Sequence, residues 1–208
     1  MSDFLTKTIS TVEELEALYG KAVEGSLKKE LTFISAEYRK LIEHSPFVVV
    51  ATSGPEGLDC SPRGDPAGFV RVHDNQTVML PDRRGNNRLD TLKNIVRDQR
   101  ISLLFLIPGL GETLRINGTA KLSIDQDLCQ SFEMKGKPPK SVIVVTVDRV
   151  YFQCKKALAR SRLWDPEARV DPATLPSAGD ILKTVLDDSF DGDAYDKNYP
   201  ERMKSTIY

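Results

Sequence analysis

Between residues 47 and 154 the apolar positions recur at strand spacing, in runs joined by turns too short to hold a helix between every pair. A parallel pair needs a crossover of about a dozen residues or more, so a chain patterned this way folds into antiparallel sheet. Residues 47–52 form an apolar, largely β-branched run, 53–57 read as a turn, and 58–61 return, which together predict a hairpin. Strands follow at 68–72 and 77–80, separated by the turn formers Asp74 and Asn75. Residues 101–107 are apolar or small throughout and stop at Pro108 and Gly109, the pattern of a strand buried on both faces. The next strand alternates, with Leu114, Ile116, Ala120 and Leu122 on one face and Thr113, Arg115, Asn117, Thr119 and Lys121 on the other. Residues 142–147 make a further strand, and 150–154 are placed to pair with it. The fold class predicted is mainly β with flanking helices, an antiparallel barrel.

The helices sit at the ends and in two connections. Thr11, followed by Glu13 and Glu14 and then Leu15 and Leu18, marks a short helix over 11–19. Leu31, Ile34, Tyr38, Leu41 and Ile42 recur at intervals of three and four and predict a second helix that stops near Pro46. Residues 125–132 and 181–186 are further short helices, whereas 189–208 is polar, without periodicity, and expected to be mobile. A chain of 208 residues suits one core with extensions. The division expected is a helical N-terminal extension over 1–45, a barrel domain over 46–164, and a C-terminal helical segment and tail over 165–208.

Charge and cysteine usage exclude several functions. Lys and Arg number 29 against 30 Asp and Glu, a net charge of −1 that lacks the positive excess of a dedicated nucleic-acid binder. No run reaches the length of a membrane span, and the first sixteen residues are acidic and amphipathic where a signal peptide is basic and then apolar. A cytoplasmic location is the expectation. Cys60, Cys129 and Cys154 form no CxxC pair, and His44 and His73 stand alone, so neither a disulfide framework nor a metal centre is indicated. Cys154 reads as a buried structural thiol.

Three stretches carry candidate chemistry. The first, LPDRRGNNRLDTLKNIVRDQR at 80–100, runs from a strand through a turn rich in Arg, Gly and Asn into an amphipathic helix. Asn86 and Asn87 tolerate left-handed backbone and supply amide donors, Gly85 permits close approach, and Arg83, Arg84 and Arg88 offer charge-assisted bonds. With the positive pole of the helix N-terminus this is a cradle for a phosphate, as in a mononucleotide or sugar phosphate. Neither this stretch nor PGLGE at 108–112 matches the P-loop or dinucleotide fingerprints, and PGLGE reads as a hairpin turn. In the second stretch, SPRGDP at 61–66, Arg63 either reaches a ligand on the neighbouring loop or pairs with Asp65 to pin a turn. In the third, KKALARSRLW at 155–164, Lys156 and Arg160 share a helical face ahead of Trp164, as a cover for a flat anionic cofactor or as a surface helix whose Trp packs inward.

Taken together, SPRGDPAGFV, LPDRRGNNRLDTL and CKKALARSRLW resemble the signatures of a bacterial subfamily of FMN-dependent proteins in the pyridoxamine 5'-phosphate oxidase class. The likeness runs from about Ile42 to Trp164. It implies a split β-barrel and a homodimer with one FMN in each of two clefts at the subunit interface. It also implies that Arg63, Asp82, Arg83, Asn86, Asn87, Arg88, Thr113, Lys156, Arg160 and Trp164 are cofactor-binding positions. Asn86 and Asn87 fall where oxidases of the class carry Arg and Lys on the phosphate, leaving Arg88 to supply charge, and Thr113 falls where they place a polar group facing the flavin. Arg84 and Gln153 depart from the Pro and His frequent in related sequences, and the basic, aromatic C-terminal motif that grips pyridoxal phosphate in true B6 oxidases is not cleanly present. The function so implied is an FMN-dependent oxidoreductase passing hydride to or from a small molecule, with NAD(P)H as reductant. The alternative is a flavin-, deazaflavin- or haem-binding storage or sensor protein without turnover.

Overall fold

The structure, a computed structural model, describes residues 6–186 and 189–208. Seven strands form one antiparallel sheet: β1 (Phe47–Gly54), β2 (Gly57–Gly64), β3 (Arg71–Val72), β4 (Thr77–Pro81), β5 (Arg100–Leu106), β6 (Thr113–Ser123) and β7 (Val142–Gln153). Their order is β2-β1-β5-β6-β7-β4-β3, so the edge strands β2 and β3 do not pair and the barrel stays split. The predicted hairpin is present, with Gly54 opposite Gly57, but β2 runs on through Pro62 to Gly64. An edge strand bonds on one side only, which is why a proline is tolerated opposite Val49.

Around the sheet lie α1 (Val12–Tyr19), α2 (Glu24–Lys28), α3 (Ala36–His44), α4 (Asp90–Arg97), α5 (Gln126–Ser131), α6 (Lys156–Ser161), α7 (Ala178–Leu186) and α8 (Gly192–Thr206). Helix α3 starts later than its periodicity indicates, because Ser35 accepts a capping bond from the Tyr38 amide. Leu31 instead exchanges backbone bonds with Val150 on β7. Tyr38 and Ile42 of α3 join Val48, Val50, Leu80, Ile95, Leu103, Phe105, Leu114, Ile116 and Val145 in one continuous core.

Three strand expectations are corrected. The segments at 142–147 and 150–154 are one strand, β7, which pairs along the whole of β6 and absorbs a bulge between Asn117 and Gly118. On β5 only Ile101, Leu103 and Phe105 are buried, while Ser102, Leu104 and Leu106 are half-buried. Within one chain that strand has a single covered face. The stretch at 68–72 contributes just two strand residues.

The polar stretch 189–208 is not irregular. It forms α8, capped by Asp191 on the Ala194 amide and running through Pro200. Its stability comes from contacts that hydrophobic periodicity does not register. Arg202 lies over the rings of Tyr195 and Tyr199 at 4.4 and 5.2 Å, and Asp196 accepts the Gly179 amide of α7 at 2.9 Å. Cys154 is exposed and Cys129 is the buried thiol. Among the described residues no helix is long and apolar enough to cross a membrane, and no group of three His, Cys, Asp or Glu could hold a metal ion.

Candidate functional site

The loop that joins β4 to α4 opens onto a cleft of about 1840 Å³. The cleft is lined by the 82–92 loop and helix start, by Asp59 and residues 61–65 along and just after β2, by 137–141, and by Thr206, Ile207 and Tyr208. Six of the ten sequence-derived site residues line it together: Arg63, Asp82, Arg83, Asn86, Asn87 and Arg88.

Local backbone explains the loop's shape. Asn87 takes a left-handed conformation at φ 60°, as its residue type favours, and Leu89 does so at φ 65°, where a branched side chain is strained. Asn86 folds its carboxamide back to accept the Arg88 amide at 3.0 Å. Leu89 occupies the N-cap of α4 and has no side-chain oxygen to offer, so the first amides of the helix are left open toward the cleft end of the loop. A Cβ on Gly85 would meet nothing within 4 Å, which leaves room at the loop's crest.

The cations are not equivalent. Arg83 is committed to the protein: its Nε donates to Asp65 at 2.7 Å and its Nη1 to the Phe132 carbonyl at 2.6 Å. Its guanidinium is 17% exposed and the Asp65 carboxylate 1%, so this pair shapes the wall more than it offers donors. Arg88 pairs with Asp90 but is 79% exposed, and such a surface pair exchanges readily for another anion. Arg84 and Lys140 engage no partner among the described residues, and the side chain of Asn87 is likewise unengaged.

On β2 the alternate residues Asp59, Ser61 and Arg63 carry the polar side chains that line the cleft. Asp59 accepts from the hydroxyls of Ser61 and Thr91, and Arg63 Nη2 donates to Thr91 Oγ1 at 3.2 Å. Arg63 therefore faces the cleft without pairing to Asp65, whose carboxylate belongs to Arg83. Burial raises the pKa of Asp82 above the ordinary carboxylate value, a shift that the Arg63 charge opposes.

The remaining four site residues, Thr113, Lys156, Arg160 and Trp164, lie apart from this cleft. Thr113 and Trp164 sit at the β5–β6 turn, where Gly109 has φ 85°, and Lys156 and Arg160 lie on α6, which begins next to Lys155, packed on that turn. Trp164 Nε1 donates to the Leu110 carbonyl at 2.8 Å, Thr113 Oγ1 to Gln153 at 3.4 Å, and Gly111 packs so tightly on Lys155 that a Cβ would sit 2.7 Å from its own. Trp164 is half-buried against that turn, and Lys156 and Arg160 are exposed on α6 without an acidic partner among the described residues. The third motif thus builds a second cluster, which the single chain does not bring to the first.

Sequence reasoning missed Asp65, Lys137, Lys140 and Tyr208. Asp65 carried no signal that distinguished Arg83 from Arg63 as its partner. The basic, proline-rich stretch KGKPPK at 135–140 was the available sign that a cationic wall faces the arginine loop.

The pyridoxamine 5'-phosphate oxidase family model matches residues 34–154, more than half of the chain. The chain belongs to that family. No curated protein matches the sequence. Similar solved structures include a pyridoxamine 5'-phosphate oxidase-like protein of Lactobacillus delbrueckii (20% identity, TM-score 0.46, covering 59% of this chain and 98% of that one). Others are the tagged HupZ protein of Group A Streptococcus (22%, TM-score 0.45, 56% and 91%) and an FMN-binding protein of Syntrophomonas wolfei (9%, TM-score 0.43, 55% and 82%).

Proposed function

We propose that this member of the pyridoxamine 5'-phosphate oxidase family is an FMN-dependent oxidoreductase whose cleft holds the cofactor phosphate. The observation that carries the reading is the anion-ready wall at 84–92. Among the described residues Arg84 and the Asn87 side chain are unengaged, the Arg88 guanidinium is held only by an exposed carboxylate, and the N-cap residue of α4 gives its amides no side-chain bond. These donors fit a phosphate monoester, and the open space over Gly85 admits it. Arg63, fixed by Thr91, would place positive charge further along the cleft, toward the ring system.

Bound flavin supplies hydride transfer with a small molecule; the chain's own part is to bind, orient and enclose. Arg84, Asn86, Asn87 and Arg88 hold the phosphate, and Arg83 with Asp65 keeps the wall in place. Thr113, Lys156, Arg160 and Trp164 are assigned to the other half of the site, contributed by a second copy of the chain. The outer side of β1 and β5, with exposed Phe47 and half-buried Val49, Leu104 and Leu106 side by side in register, supplies the apolar area for that contact. The experiment is an absorption spectrum of the purified protein followed by anaerobic addition of NADH, NADPH and candidate small-molecule reductants. Bound flavin that is bleached by one of them is expected. A colourless protein whose melting temperature ignores added FMN overturns the cofactor assignment. Flavin that binds but is never reduced overturns the oxidoreductase and leaves a carrier or sensor.

A further inference from the structure

The segment that follows α8 crosses one end of the cleft and is tied down at three points. Tyr208 Oη donates to Asp65 Oδ1 at 2.6 Å, Lys137 Nζ donates to the Tyr208 main-chain oxygen, and Lys135 Nζ lies 5.0 Å from the centre of the Tyr208 ring. The first tie is the unusual one. Asp65 is a buried carboxylate that divides its two oxygens between the loop and the segment, giving Oδ2 to Arg83 and Oδ1 to Tyr208. Arg83 in turn reaches the Phe132 carbonyl, so one carboxylate joins the 82–88 loop, the α5 end and the 206–208 segment. Both lysine contacts come from one stretch, 135–140, which carries no acidic side chain of its own. The segment lines the cleft without filling it, since about 1840 Å³ remains with Tyr208 in place.

We propose that Tyr208 is a positioning residue of the cleft: its hydroxyl latches the 206–208 segment as a strap that holds Asp65 on Arg83 and retains a bound phosphate ligand. The ligand part rests on the reading of the cleft given above, while the latch stands on the contacts alone. A phenylalanine keeps the ring under Lys135 and removes only the hydroxyl, which leaves a buried carboxylate oxygen without its donor. The hydroxyl is a donor while protonated, and the Asp65 carboxylate that it bonds raises its pKa, so the latch is closed at neutral pH. The charged groups that face it are Asp65, Arg83, Lys135 and Lys137.

The test uses the full chain and the Tyr208→Phe and Tyr208→Ala variants, with Tyr195→Phe as a control whose ring partners, Phe190, Tyr199 and Arg202, all lie outside the cleft. Hydrogen–deuterium exchange is followed in the ligand-free proteins, and FMN release from the loaded proteins is followed by recovery of flavin fluorescence. Expected for Tyr208→Phe are faster exchange across 82–88 and 135–141 and FMN release accelerated roughly tenfold, as the loss of one charge-assisted bond implies. Tyr208→Ala should show at least as much, and the control should match the parent chain. Unchanged exchange in both Tyr208 variants overturns the latch. Faster exchange with unaltered FMN release overturns the strap's role in retaining ligand. A parent chain that binds no FMN defeats the flavin reading instead, and the exchange data still decide the latch.

Discussion

At the scale of single residues, position in the partner network separates arginines that look alike in the sequence. RRGNNR offers three guanidinium groups to a phosphate, yet Arg83 is spoken for by Asp65 and Phe132 while Arg84 has no partner among the described residues. The basic turn was legible from residue type, as was left-handed backbone at its asparagines, although of Asn86 and Asn87 only Asn87 adopts it. Which arginine was structural was not legible, since it depends on a carboxylate eighteen positions upstream brought near by the sheet. Asp82 gives a test at this scale. Its raised pKa means that the folded chain binds the proton more tightly than the unfolded chain, so stability falls as pH rises from the ordinary value of 3.8 through the raised one. Above that window the penalty is complete and below 3.8 it is absent. Asp82→Asn should therefore raise the melting temperature of the ligand-free protein at neutral pH and lose this advantage in acid below the ordinary carboxylate value. Thermal melts of both chains across that range check it, and an equal difference at both ends would show that Asp82 is not penalised by burial.

At the scale of elements, periodicity located the sheet and misjudged how its pieces join. The alternation of β6 and the hairpin of β1 and β2 follow directly from residue type and turn chemistry. The continuity of β7 does not, because Asp148 and Arg149 look like a turn when no partner strand is in view. In the fold they lie beside a bulge, and the partner residue there is Gly118. A Cβ at that position would come 2.0 Å from the Thr146 carbonyl oxygen, a main-chain atom that cannot move aside. Gly118→Ala should destabilise the protein by about 1 to 3 kcal/mol, the usual cost of forcing atoms into a packed region. Chemical denaturation measures it, and a loss below about 0.5 kcal/mol would show that the bulge relaxes without cost. Helix α8 was illegible for a different reason. Its order rests on Tyr–Arg stacking and a glycine contact with α7, neither of which produces an apolar stripe.

At the scale of the whole molecule, six of the ten candidate positions line the cleft at the β4–α4 loop, and the other four lie apart from it, at the β5–β6 turn and on α6. The family resemblance read from three sequence motifs carried both the fold class and the expectation that these belong to one site. Their separation within a chain, together with the apolar side of β1 and β5, is what a site shared between two copies requires. The account's central claim is that the 84–92 wall holds the FMN phosphate in such a dimer. It is tested most directly by titrating the parent chain and Arg88→Ala with FMN under flavin fluorescence, with light scattering on the same samples. The account predicts a dimer, one FMN per chain, and binding weakened in Arg88→Ala by about 1.5 to 3 kcal/mol, as expected for a charge-assisted bond to phosphate. A monomer, or an affinity that Arg88→Ala leaves unchanged, would contradict it.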